Sequence, residues 1–508
     1  MIVMRYLVAT LFLMLALPQV LSAQCGCGDQ CGCGPGCRCG HSGSNGFTPP
    51  EYGVNDGFTG KGITLRSRLS LADMGSPSGA LGSAIWGWAD TTDPRGTREY
   101  ALYGLADRTA FVDVTNPDLP VFVGHLPTAT GSSAWRELKT YQNYAFIVSD
   151  GNGNHGMQVF DLTRLRNYAG TPITFSADTR YFQGNQPGAI SNAHTIFINE
   201  ETGFGYVFGT STHGGGAHVV DLRNPLAPTF AAGYAASGYI HDGQVVQYSG
   251  PDAAYQGREI LFAANSRGTG DVNDDFVQIL DVTNKSAITL VGQATHPNAR
   301  YIHQGWLTPD QRYFLVNDEL DEFYSRAKTT THVYDVSDLA NPVYKGGWLH
   351  PNDSFVIDHN LFIREYPGVG VFAFSSNYTM GLRVIKIGDL DAAGGPNMEE
   401  IAWFDTYPAD DGERNFNGQW GSYPFFNSGT IIAGDRQNGL FVLTVHAVPE
   451  PGTMTLVGLG AATGLARFRR IWRGRKATRP IDAALVARRS TRGARGSLVK
   501  IRQRLPRR

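Results

Sequence analysis

Short apolar runs separated by Gly- and Asp-rich turns dominate the chain, and one run returns with the same ending. It reads "TAFVDVTNP" (109–117), "GMQVFDLTR" (156–164), "GAHVVDLRNP" (216–225), "FVQILDVTN" (276–284) and "THVYDVSDLANP" (331–342). Two weaker copies follow, "GLRVIKIGD" (381–389) and "GLFVLTV" (439–445). Successive copies stand roughly fifty to sixty residues apart. A second apolar run precedes each copy, as in "REILFAANS" or "RYFLVNDE", and another often follows, as in "PVFVGHLP". Four short strands in that length make one propeller blade, which buries its faces only against neighbouring blades. The Asp that closes the strand can accept backbone N–H bonds and fix the reversal into the next one.

Seven copies predict an all-β, seven-bladed β-propeller over residues 63–446. The seventh copy has no outer strand after it, because the chain reaches Val448-Pro449. A spare strand, "ITLRSRLSL" (63–71), lies ahead of the first blade. It is expected to complete the last blade, close the circle and remove the exposed sheet edge.

Each blade should begin with a strand lining the central channel. Those starts align as "SAIWGW", "SSAWRE", "SNAHTI", "GYIHDG", "RYIHQG", "VIDHNL" and "NGQWGS". The fourth position runs Trp86, Trp135, His194, His241, His303, His359, Trp420, often followed by a polar residue: Arg136, Thr195, Asp242, Gln304, Asn360. Second strands end in Asp107, Asp150, Asn265, Asp318 with Glu319, Asn377 and Asp435, on the face where inner strands begin. Four imidazoles at one mouth can hold a transition metal, with carboxylates orienting them. Trp86, Trp135, Arg136, Asp242, Gln304 and Trp420 would form a ligand-binding wall around it. Duplicated blades can equally carry such a ring as packing alone. His125, His296 and His350 are expected to be solvated near blade edges, and His213 to lie on a loop facing the mouth. The acidic loops "DVNDDF" (271–276) and "NDELDE" (317–322) could hold Ca²⁺ through carboxylates and carbonyls, but neither has the spacing of a calcium loop and solvated turns are the expectation. No G-x-S-x-G, P-loop or H-E-x-x-H pattern is present, so no catalytic residue is assigned.

Composition agrees with the strand pattern: 62 Gly, 17% charged residues and 11% aromatics in 508 residues suit many short strands and tight turns. The net charge of −2 conceals an asymmetry, since sixteen of the 43 Lys and Arg lie from Arg467 onward against one acid, Asp482. The acidic body argues against nucleic-acid affinity, which requires neutralised phosphates. Residues 1–23 read as a signal peptide: Arg5, an apolar run, then Ser22-Ala23 for signal peptidase. All six cysteines fall in 24–62, the Cys/Gly-rich segment and linker, as Cys25, Cys27, Cys31, Cys33, Cys37 and Cys39. Paired C-x-C spacings can bind a soft metal or crosslink oxidatively, and the two readings stay open.

The runs 109–166 and "HQGWLTPDQRYFLVNDELDE" (303–322) closely resemble the choice-of-anchor B proteins with LVIVD-type repeats. That resemblance covers about 63 to 446 and implies an exported bacterial repeat protein without a defined activity. "VPEPGTMTLVGLGAATGLARFRR" (448–470) resembles a PEP-CTERM sorting signal, with Pro449-Glu450-Pro451, an apolar run and Arg467, Arg469 and Arg470. It implies processing of 447–470 by an exosortase-type enzyme and a secreted or cell-surface location in a Gram-negative-type bacterium. The membrane is then involved only through the terminal signals, the short apolar run entering it with its arginines inside. Residues 471–508 form a basic tail that departs from that pattern. Two functions follow. One is a non-enzymatic propeller binding a ligand or partner; the other is a metal-dependent enzyme built on the four histidines. Seven-bladed carotenoid oxygenases, which hold iron with four imidazoles, offer the second a geometric analogy only.

Overall fold

The computed structural model describes residues 53–55, 57–185, 188–266, 275–351, 355–410 and 414–446. The signal peptide, the six cysteines, the sorting signal, the basic tail and the first four residues of "DVNDDF" lie outside them. Seven sheets follow one another in chain order, antiparallel throughout except where Ile173–Thr174 joins the outer strand of the first in parallel. Their inner strands are Gly82–Asp90, Arg136–Tyr141, Thr195–Asn199, Ile240–Gln247, Ile302–Leu307, Leu361–Tyr366 and Gln419–Tyr423. These begin blades one to seven of an all-β propeller.

The last blade takes its outer strand from the amino-terminal side. Ile63–Leu69 pairs antiparallel with Gly439–Val445, in the register Ile63 to Val445 and Leu69 to Leu440. Further upstream, the hairpin Gly53–Asn55 and Phe58–Lys61 adds two strands to the outer edge of blade six through Gly60 and Lys61. Residues of the propeller therefore lie upstream of residue 63 as well, inside the stretch expected to be linker.

Asp acts at the end of the repeat as its turn chemistry requires. Asp113, Asp161, Asp221, Asp281 and Asp335 each accept, through Oδ1, the backbone N–H two residues on, at 2.9–3.0 Å. Apolar faces meet between blades: Val277 and Ile279 of blade four pack with Phe314, Val316 and Tyr334 of blade five. The junction of blades seven and one is held likewise by Ile432 and Val442 against Ala101 and Tyr103, and by Tyr103 donating to the Asp435 carbonyl at 2.6 Å.

Candidate functional site: a stair of imidazoles at the channel mouth

The inner strands of blades four, five and seven each carry one extra residue near their start. Ile240 pairs with Asn265 and Asp242 with Ala264, leaving His241 as the bulge; His303 and Trp420 occupy the same place between Ile302 and Gln304 and between Gln419 and Gly421. Bulges re-aim side chains and concentrate beside functional sites. Here they turn His241, His303 and Trp420 into the channel mouth, where His194 and His359 join them.

The rings climb around the mouth in a stair. Successive centroids are 4.5 Å apart for His194–His241, 4.0 Å for His241–His303, 4.3 Å for His303–His359 and 4.6 Å for His359–Trp420. His241 Nδ1 sits 2.8 Å from the His303 carbonyl and His359 Nδ1 2.6 Å from the Trp420 carbonyl. A carbonyl only accepts, so both Nδ1 atoms carry the proton and both Nε2 atoms keep a lone pair. His194 Nδ1 meets Asp150 Oδ2 at 3.0 Å, the carboxylate–histidine pairing that often orients a metal-binding imidazole. Burial holds His241, His303 and His359 as neutral rings, His359 down to about 3 and the other two well below their ordinary value, with neighbouring imidazoles adding to the effect on His241 and His303.

The four nitrogens do not gather around one point. Among the described residues, the ligand atoms within 4.8 Å of one another belong to His303, His359 and Glu319. Glu319 Oε2 lies 3.7 Å from His303 Nε2, and Oε1 lies 3.9 Å from His359 Nε2. Tyr378 donates to Oε1 at 2.6 Å. Burial pushes the Glu319 carboxyl up to about 7, against the opposing pull of Tyr378. Two imidazoles and one carboxylate on one side of an ion leave coordination positions open.

The other predicted mouth residues divide. Trp135 stands at the mouth, 47% exposed, and Trp420 packs on Ala84, Ile357 and Tyr378. Asp242 is half-buried in the channel beside Glu137, Gln304 and Asn360, and desolvation there pushes its carboxyl up to about 7, Lys139 opposing. Gln304 spends its carbonyl on the Leu361 N–H at 2.9 Å, tying blade five to blade six. Arg136 is fully buried: Nε donates to the Leu105 carbonyl at 2.9 Å, and Nη1 lies 3.2 Å from His155 Nε2, locking blade two to blade one.

Trp86 does not stand in this ring. Blade one has its irregularity between Gly82 and Ile85, so Ser83 and Ala84 occupy the ring level. Trp86 lies three residues further along, at the opposite end of the channel, with Phe197, Trp306, Tyr423 and Phe425 in a cavity of about 390 Å³. Lys139 Nζ lies 4.4 Å over the Trp86 ring. The pattern was present in the sequence: an aromatic follows three residues after the ring position in "HTIF", "HQGW", "HNLF" and "WGSY", and "SAIW" belongs to that series.

Three further expectations are corrected. His296 and His350 are 1% and 4% exposed: His296 stacks on His332 and meets the Tyr334 hydroxyl of blade five, and His350 lies against Trp348 and Thr331 of its own blade. His213 packs on Phe230 of the blade-three outer strand, centroids 5.8 Å apart, and not on the mouth. "NDELDE" is no solvated turn, since Asp318, Asp321 and Glu322 are buried. Of the second-strand carboxylates, Asp150 and Glu319 reach the imidazoles, whereas Asp107 pairs with Arg108 and Asp435 accepts from Thr406.

Residues 447–470 match the PEP-CTERM protein-sorting motif. No curated protein matches the chain in sequence. Among solved structures, hydrazine synthase from Kuenenia stuttgartiensis is similar at 11% identity and a TM-score of 0.50, covering 72% of this chain and 95% of that one. A Lactobacillus plantarum protein is similar at 14% identity and a TM-score of 0.43, covering 70% and 88%. At such identities the likeness concerns the fold alone. The class that fold and signal define is an exported β-propeller carrying a PEP-CTERM sorting signal, which points to the cell surface.

Proposed function

We propose that this propeller works at the cell surface as a binding protein, its ligand held at the channel mouth by a divalent transition-metal ion on His303, His359 and Glu319. The observation that carries the reading is the gap between His359 Nε2 and Glu319. A neutral imidazole lone pair faces a carboxylate at 3.9 Å, and both groups are acceptors that a cation between them would satisfy. His241 and His194 continue the stair as second-rank neighbours, and Trp135 and Trp420 flank the ligand. The resemblance of its repeats to the choice-of-anchor B proteins supports the same reading, with signal peptidase and an exosortase-type enzyme as the processing partners it would need. The open coordination positions favour one alternative, a metal-dependent enzyme using the same ligands.

The test loads the chain with Mn²⁺, which thiolates of the cysteine segment bind poorly, and counts bound ions. His303→Ala and His359→Ala should each remove one ion per chain, while His241→Ala retains it. Equal metal in His303→Ala and wild type overturns the reading.

A further inference from the structure

At the channel end opposite the imidazoles, the inner strands deliver a second set of side chains. Blades one, three, five and seven supply Trp86, Phe197, Trp306 and Tyr423, and Phe425 follows two residues after the last of these. Blades two and four supply Lys139 and Gln244 instead. All of them line the cavity of about 390 Å³, a size within the range of small-molecule sites.

The rings hold one another by their edges. Trp86 meets Tyr423 at a centroid distance of 5.0 Å and a plane angle of 69°. Trp306 meets Phe197 at 5.9 Å and 60°. Behind them, the buried Phe362 of blade six stands edge-on to Trp86 at 5.7 Å and to Trp306 at 5.2 Å. Packing of this kind fixes the rings, yet Trp86, Phe197, Trp306, Tyr423 and Phe425 all stay partly open. Aromatic surface left open together in a concave site marks a place of binding.

The polar groups among the rings include both donors and acceptors without partners. Gln244 Oε1 accepts the Leu307 N–H at 2.7 Å, while its Nε2 makes no hydrogen bond among the described residues. Gln247 Oε1 is buried and meets no donor. The Tyr423 hydroxyl is kept protonated by burial first, with the Glu200 charge adding to the effect. Lys139 is neutralised by its ion pair with Glu137. An anionic ligand would face the carboxylates of Glu200 and Glu201 in the lining. A cation offers no acceptor to Gln244 and finds the Lys139 ammonium over Trp86, 4.4 Å from its centroid. Hydroxyl groups both donate and accept, and the C–H groups of a sugar ring carry the partial positive charge that an aromatic face attracts.

We propose that this cavity is a second binding site, for a neutral mono- or disaccharide whose apolar face rests on Trp306 and whose hydroxyls pair with Gln244, Gln247, Glu200 and Tyr423. It shares no residue with the metal ligands of the mouth and stands or falls separately from them.

The test titrates the full chain with glucose, galactose, mannose, N-acetylglucosamine, cellobiose and lactose, followed by tryptophan fluorescence and calorimetry. At least one sugar should bind saturably, with one site per chain. Trp306→Ala should abolish that binding. Tyr423→Phe, which removes a single hydroxyl, and the near-isosteric Gln247→Leu keep the packing and should each weaken it about tenfold. His303→Ala should bind the sugar as wild type does. The site is overturned if no sugar of the set binds, or if Tyr423→Phe and Gln247→Leu both match wild type. Loss of sugar binding in His303→Ala would move the ligand to the mouth and overturn it equally. Choline or indole binding where every sugar fails would replace the saccharide by a cationic or an apolar ligand.

Discussion

At the scale of single residues, burial has given this propeller polar groups whose ionisation is fixed by their neighbours. His155 is completely buried, accepts from Arg136 and has Nδ1 2.9 Å from the Gly156 carbonyl. Burial first, and the Arg136 charge second, hold it down at about 4. Its unfolded counterpart takes up a proton near 6.5, so the unfolded state binds more protons between those values and stability falls as pH falls through that window. The advantage of wild type over His155→Gln, measured by urea unfolding, should shrink by about 1.4 kcal/mol per pH unit from pH 6.5 toward pH 4. The repeat's closing Asp makes a smaller, local contribution. Asp281→Ala removes the acceptor of the Thr283 N–H and should cost about 1 kcal/mol, read by the same measurement.

The histidine ring was readable because its members recur at one register of a repeat. Trp86 was misplaced because blade one offers "WGW" three residues past the ring level and only Ser83 and Ala84 at it. The His296 and His332 pair had no such signal. One comes from a crossing segment and the other from a third strand, and only the packing of successive blades makes them neighbours.

At the scale of elements, the strands carry the architecture and their irregularities carry the site. Alternation and the repeated Asp turn were enough to count the blades and to match Ile63–Leu69 with Gly439–Val445. Bulges were not visible, since a one-residue offset leaves the apolar pattern of a strand nearly unchanged. Nor was the Gly53–Lys61 hairpin, whose short strands carry little alternation. The closing strand has a testable duty. Deleting residues 63–71 uncovers the edge of Gly439–Val445, and exposed edges recruit other chains. The shortened protein should leave a sizing column with light scattering as oligomers or aggregate, where the intact chain gives a single discrete species.

At the scale of the whole molecule, the sorting signal and the propeller divide the labour. The signal at 447–470 points to export and the cell surface, and the propeller is the folded body it would carry there. Removing 447–470 should move the protein from the cell-surface fraction to the medium, followed by fractionation and immunoblotting, with the propeller's unfolding midpoint unchanged. Unchanged surface retention would mean that another segment anchors it.

The seventh blade also sets an order in time. Thr64 and His446 meet at 2.6 Å although 382 positions separate them. A chain that emerges amino end first delivers its closing strand early and that strand's partner after every other strand of the propeller. Six blades can assemble while the strand waits unpaired, and contacts of such long range form slowly. Completion of the ring and arrival of the sorting signal, which begins one residue beyond His446, therefore fall almost at the same moment of synthesis.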